Sequence, residues 1–178
     1  MDLTETRLTS ERIYEGRILN LRRDKVRLPN GREASREVVE HPGAVAIIAL
    51  DAEKNVYLVR QYRYPINRAT LEIPAGKLDA GEEPLACAQR ELAEEVGLAA
   101  AEWQPLLTFY STPGFSNEIM HLFLATGLRP HREKADDDEF IEIVRVPLAE
   151  AVTMALGGEL QDAKSIAGIL AAARIWQA

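Results

Sequence analysis

Cysteine is almost missing from this chain: its 178 residues hold one, Cys87. No disulfide framework and no thiolate zinc site can be built within one chain, and a reducing, cytoplasmic setting is expected. An excess of positive charge is missing too. Lys and Arg number 21 against 28 Asp and Glu, a formal charge of -7, so no general basic field would draw nucleic acid. The longest apolar run, Ala44 to Leu50, is far too short to span a bilayer, and the polar opening MDLTETRLTSERIYEG lacks an apolar signal core. A soluble, unexported protein with no membrane partner is expected. There is no G-x-x-x-x-G-K-[ST] phosphate loop and no G-x-S-x-G elbow, while His41, His121 and His131 lack metal-ligand spacing. Cys87 lies among small helix residues and reads as core, and Trp103 and Trp176 read as packing residues.

What is present suits one compact domain with a small appendage, since 47% of residues are hydrophobic and 28% charged. The N-terminal part reads as short strands over Tyr14 to Leu21, Lys25 to Leu28 and Arg36 to Val39, with Pro29-Asn30-Gly31 as a hairpin turn. These strands carry few apolar residues and need support, for which a second subunit is the natural source. The run GAVAIIAL from Gly43 to Leu50 reads as a buried strand, with Asn55 to Arg63 as its antiparallel partner across an Asp51–Lys54 turn. Further strands are expected over Thr70 to Pro74, Leu106 to Ser111, Ile119 to Ala125 and Phe140 to Pro147. Helices are expected over Glu82 to Val96, over Leu148 to Leu156 with Gly157-Gly158 as its stop, and over Asp162 to Trp176 with Asp162 as cap.

The stretch Gly76 to Leu98, GKLDAGEEPLACAQRELAEEVGL, carries the chemistry. At about 100° per residue, Leu85, Ala88, Leu92 and Val96 share an apolar stripe, and Glu91, Glu94 and Glu95 gather on its flank. Glu91 and Glu95, four apart, repel by a few tenths of a kcal/mol, and a bound cation would reverse that sign. Hard divalent ions such as Mg²⁺ take carboxylates, a carbonyl, waters and substrate phosphate, which is what such a helix offers.

Read as G-x5-E-x7-R-E-U-x-E-E-x-G-U, with U aliphatic, the stretch fits at Gly76, Glu82, Arg90, Glu91, Leu92, Glu94, Glu95, Gly97 and Leu98. Seven fixed positions match by chance on the order of 10⁻⁹ per starting point. The pattern resembles the Nudix box of hydrolases that cleave a nucleoside diphosphate linked to another group. Pro113, fifteen residues beyond Leu98 within YSTPGFSNE, makes the segment similar to the ADP-ribose pyrophosphatase subfamily.

The resemblance implies an α+β fold, an α/β/α sandwich with a mixed sheet, preceded by a small N-terminal antiparallel sheet. Residues 1–41 would form that sheet within a homodimer interface, and residues 42–178 the hydrolase domain. It implies Mg²⁺, or Mn²⁺ in its place, held by Glu91 and Glu95 with Glu94 as third ligand or helper and the Ala75 carbonyl completing the shell. Arg90 would orient the glutamates, and Glu82 would hold its loop or reach a water. Pro113, Gly114 and Glu118 would bind substrate, Glu118 as a polar ligand to the terminal ribose or to the metal shell, and Arg36 and Arg63 would meet the diphosphate or adenine. The general base would come from the loop before the last strand: Glu139, with Glu142 or Asp137 next. The implied reaction is hydrolysis of ADP-ribose to AMP and ribose 5-phosphate by metal-activated water. The alternatives are another nucleoside diphosphate sugar, such as GDP-mannose or ADP-glucose, or a module that binds ADP-ribose without cleaving it.

Overall fold

The computed structural model describes residues 1–131 and 140–176, the last by its backbone alone. The chain divides into two compact units, Met1–Gly43 with Tyr110–Ile119, and Ala44–Phe109 with Met120–Ala178.

In the first unit, β1 (Thr6–Glu15), β2 (Asn20–Arg27) and β3 (Glu33–Glu40) form an antiparallel meander. The Asn-Gly turn joins β2 to β3 as expected: Gly31, at φ 83°, donates to the Leu28 carbonyl at 2.9 Å. The strand expected over Tyr14 to Leu21 is instead broken by a reversal, in which Gly16 N–H meets Leu19 O at 3.1 Å. A Cβ on Gly16 would lie 2.5 Å from the Tyr14 ring, so glycine is what admits the turn. Cross-strand ion pairs, Arg23 with Glu11 at 2.7 Å and Lys25 with Glu33 at 2.6 Å, take the place of apolar pairs on the exposed strands.

The second unit is built on a four-stranded mixed sheet in which β4 (Ala44–Ala49) lies between β7 (Ala75–Lys77) and β9 (Ile119–Pro130), with β8 (Leu98–Tyr110) beyond β9. It runs antiparallel to β7 and parallel to β9. Every residue of β4 is buried, because neither face of AVAIIA carries a polar side chain. Val45, Ile47 and Ala49 pack with Cys87, Ala88 and Leu92 of the acidic helix, while Ala46 and Ile48 share a second cluster with Ile169 and Ala172 of the last helix. One strand thus feeds two layers of core, which is the α/β/α arrangement.

The expected pairing of Asn55–Arg63 with β4 does not form. Both edges of β4 are already taken, so the Asp51–Lys54 turn, closed by Lys54 N–H to Asp51 O at 3.1 Å, hands the chain to a different sheet. There β5 (Asn55–Arg63) lies between β6 (Arg68–Glu72) and β10 (Glu142–Pro147), antiparallel to both. A single Leu50–Val56 bridge is what remains of the expected ladder. The helices are α1 (Pro84–Glu91), α2 (Leu148–Gly157) and α3 (Ala163–Trp176). Gly158, at φ 82°, stops α2, and Asp162 caps α3 through Ser165 N–H at 3.0 Å. Among the described residues no helix is long and apolar enough to cross a membrane.

Candidate active site

The acidic helix begins two residues later than its periodicity suggests. Pro84 occupies the first helical position and restricts Glu83 to an extended conformation, φ -74° and ψ 140°, which leaves Glu82 on the preceding loop. At the other end α1 widens into a π-helical turn over Leu92–Val96 before Gly97 closes it at φ 72°. The apolar face differs from the expected stripe at its start. Leu85, in the first turn, is exposed, and Cys87 takes the inward place with Ala88, Leu92 and Val96.

Arg90 is the hub of the carboxylates. Its Nε and Nη2 each donate to Glu82 at 3.0 Å, and its Nη1 donates to Glu91 at 2.7 Å and Glu94 at 2.9 Å. Three acids around one guanidinium leave the cluster negative. The Arg90 bonds hold the Glu82 carboxyl down at about 2, and in return Glu82 drives the Arg90 pKa well above its ordinary value. Glu91 and Glu95 are almost fully buried, at 8% and 6% exposure, a depth at which a carboxylate needs strong partners. Glu95 accepts the Ala75 N–H at 2.9 Å. Glu91 presses on the backbone of Gly76 so closely that a Cβ there would fall 1.8 Å from its Oε1. The short strand β7 and the acidic helix are therefore fitted to each other through these two carboxylates.

This donor set suits a hard divalent ion. Among the described residues no three acidic, histidine or cysteine side chains converge into a complete cage. Glu91 and Glu95 with a backbone oxygen of the Ala75–Gly76 segment would hold such an ion only in part, leaving positions for water and phosphate, as is usual for Mg²⁺. Cys87 is inert in this setting. Burial pushes its thiol up to about 12, and it contacts the Lys77 carbonyl at 3.3 Å.

Arg63, at the end of β5, belongs to the same unit and grips the buried Glu72 with Nε and Nη2, both at 2.8 Å. Arg36, Pro113, Gly114 and Glu118 belong to the first unit. Arg36 is held by Glu5, its Nε to Oε2 distance being 2.8 Å. Pro113 and Gly114 form a turn closed by Ser116 N–H to Thr112 O at 3.0 Å, and a Cβ on Gly114 would meet open space. Glu118 accepts the Ser111 hydroxyl and lies 3.6 Å from His41 Nδ1. Glu142 is exposed and paired with Arg60 at 3.2 Å. Glu139 and Asp137 lie outside the described residues. Glu72, which holds Arg63, and Lys164, which bonds Glu72 in turn, have no signal in the sequence, because isolated charged residues in apolar segments carry no periodicity.

The NUDIX domain profile matches residues 40–168, and a nucleoside diphosphate sugar hydrolase N-terminal domain matches residues 5–39. The chain belongs to the Nudix family. This Nudix chain is 44% identical over 165 residues to an ADP-ribose pyrophosphatase of Bacillus subtilis, covering 92% of the chain and 89% of that relative. It is 47% identical over 171 residues to an ADP-ribose pyrophosphatase of Mycobacterium tuberculosis, covering 92% and 81%. Among solved structures, one described as an ADP compounds hydrolase superposes with a TM-score of 0.86 at 25% identity, covering 99% of this chain and 96% of that one. The Nudix box of this chain is thus the Glu82–Arg90–Glu95 cluster, and Nudix hydrolases as a class require a divalent metal.

Proposed function

We propose that this chain hydrolyses the diphosphate of ADP-ribose to AMP and ribose 5-phosphate with Mg²⁺, or Mn²⁺ in its place. The observation that carries this reading is the fit of Glu91 and Glu95 against the Ala75–Gly76 backbone, which gives two buried carboxylates one fixed orientation. The names of the two ADP-ribose pyrophosphatases at 44% and 47% identity support ADP-ribose as the substrate, against 32–33% for relatives named GDP-mannose pyrophosphatase.

Glu91 and Glu95 are assigned as metal ligands, with Glu94 as a third ligand or helper and the Ala75 carbonyl as the backbone donor. Bound there, the divalent ion would screen the diphosphate oxygens and acidify water. Arg90 orients Glu91 and Glu94 through the bonds described above, and Glu82 fixes Arg90 from the loop. Arg63 neutralises the diphosphate. Arg36, Pro113, Gly114 and Glu118 are assigned to the rest of the substrate, Glu118 to the terminal ribose. Glu139 is assigned as general base, taking the proton from the attacking water. The N-terminal strands, residues 1–41, are assigned to a homodimer interface because they bury few apolar side chains, and the enzyme is placed in the cytoplasm with no nucleic-acid or membrane partner.

A substrate panel with Mg²⁺ tests the reading. ADP-ribose is expected to be cleaved faster than GDP-mannose or ADP-glucose, and Glu95→Gln to lose on the order of 10²-fold or more in kcat. Faster turnover of GDP-mannose would reassign the substrate. Binding of ADP-ribose without products, equal in wild type and Glu95→Gln, would make the chain a sensor and not an enzyme.

A further inference from the structure

A buried ionic network in the second unit plays no part in the assignments above except through Arg63. Glu72, the last residue of β6, is 3% exposed, and four donors saturate its two oxygens. Oε1 accepts from Arg63 Nε at 2.8 Å and from Thr70 Oγ1 at 2.6 Å. Oε2 accepts from Arg63 Nη2 at 2.8 Å and from Lys164 Nζ at 2.5 Å. The Lys164 ammonium also reaches Asp162 Oδ2 at 2.9 Å, and Ser165, one residue further on, bonds Asp162 and accepts the Ile73 N–H at 2.8 Å. The first turn of α3 is thereby tied to Glu72 and Ile73, three and two residues before Ala75.

We propose that Lys164 is a positioning residue for substrate binding: by anchoring Glu72 it fixes the plane of the Arg63 guanidinium and so sets how Arg63 meets the diphosphate. The inference rests on the assignment of Arg63 to the diphosphate. A fork-to-fork pair fixes a guanidinium only relative to its carboxylate, and the carboxylate is free to pivot about its own side-chain torsions unless its remaining lone pairs are taken. Thr70 and Lys164 take them. Arg63 is buried on the side facing Glu72 yet keeps 42% of its side chain exposed, so it can still reach a ligand. Lys164 keeps 12%, with its ammonium spent on Glu72 and Asp162, and acts through Glu72 instead. The Arg63 pKa is raised chiefly by its bond to Glu72, with smaller contributions from the charges of Glu95 and Asp162.

The test compares Lys164→Met, Lys164→Arg, Arg63→Ala and the Arg63→Ala/Lys164→Met double variant by KM and kcat for ADP-ribose and by Tm. Lys164→Met is expected to raise KM about tenfold with kcat within about threefold, the signature of lost ground-state binding, and Lys164→Arg to recover most of that rise. In the Arg63→Ala background, Lys164→Met is expected to add less than about twofold. Should Lys164→Met not fold, Lys164→Gln, which keeps a donor without the charge, carries the same comparison. If Arg63→Ala raises KM while Lys164→Met lowers Tm and leaves KM alone, or if the two effects multiply in the double variant, the positioning role is overturned and the Arg63 assignment stands. An unchanged KM in Arg63→Ala overturns that assignment and this inference with it.

Discussion

Replacing Gly76 by alanine separates the geometry of the carboxylate cluster from the stability of the fold. The backbone of Gly76 lies outside the left-handed region, so alanine is sterically allowed there as far as the main chain is concerned. The new Cβ, however, would sit 1.8 Å from Glu91 Oε1, 1.9 Å from its Cδ and 2.4 Å from Oε2, where ordinary contact begins at 3.4 Å. The carboxylate must therefore retreat by about 1.6 Å, giving up its place on the Ala75–Gly76 segment and straining its 2.7 Å bond to Arg90. The obstacle is the end of a flexible side chain, so the retreat costs about 1 kcal/mol or less of stability, a Tm shift of no more than about 4 °C for a chain this long. Catalysis pays far more heavily, because a misplacement beyond about 1 Å costs on the order of 10²-fold, or about 2.7 kcal/mol of barrier. The assay is the initial rate of AMP release from ADP-ribose at saturating Mg²⁺, with Tm measured on the same preparation. The expected outcome is a native-like Tm with kcat/KM down about a hundredfold and a higher Mg²⁺ requirement. Wild-type activity at native Tm would show that Glu91 need not sit against Gly76, and the reasoning about the metal site would fail.

Other consequences follow from the same geometry. Burial alone would raise the Glu72 carboxyl, but its bonds from Arg63 and the charge of Lys164 outweigh burial and hold it at about 2, and Arg90 does the same for Glu82, against an ordinary 4.5. Carboxyls depressed on folding contribute stability that is present above pH 4.5 and lost as pH falls toward 2. In EDTA, the Tm should drop across that window, and the drop should be shallower in Glu72→Gln; equal slopes would remove Glu72 from the account. Cys87, pushed up to about 12 by burial, should resist thiol reagents at about pH 8 until the chain unfolds, and rapid labelling of the native protein would contradict the packing described. Glu139→Gln should lower kcat by about 10² to 10⁴ with little change in KM, whereas Glu142→Gln, at an exposed carboxylate paired with Arg60, should stay within about threefold of wild type. The reverse result would move the general base to Glu142.

Read alone, the chain determined whatever depends on neighbours a few residues apart. The spacing of Gly76, Glu82, Arg90, Glu91, Glu94 and Glu95 identified the family and the acidic cluster. The unbroken apolar run of β4 announced a strand buried on both faces, and Asn30-Gly31, Gly158 and Asp162 marked a turn and two helix ends where the structure has them. Tertiary structure decided what depends on competition between distant segments. The β4 strand could not pair with β5 once β7 and β9 had taken its edges. Helical spacing put Glu91 and Glu95 near each other, but the contact with Gly76 and the Ala75 N–H, which fixes their orientation, comes from a strand packed across the core. The Lys164–Glu72 bond joins residues 92 apart in sequence, and a pair that far apart has no period, turn or cap to announce it. Local chemistry declares itself in sequence because its geometry is set by the backbone between the partners; a buried ion pair is set by the packing of everything between them.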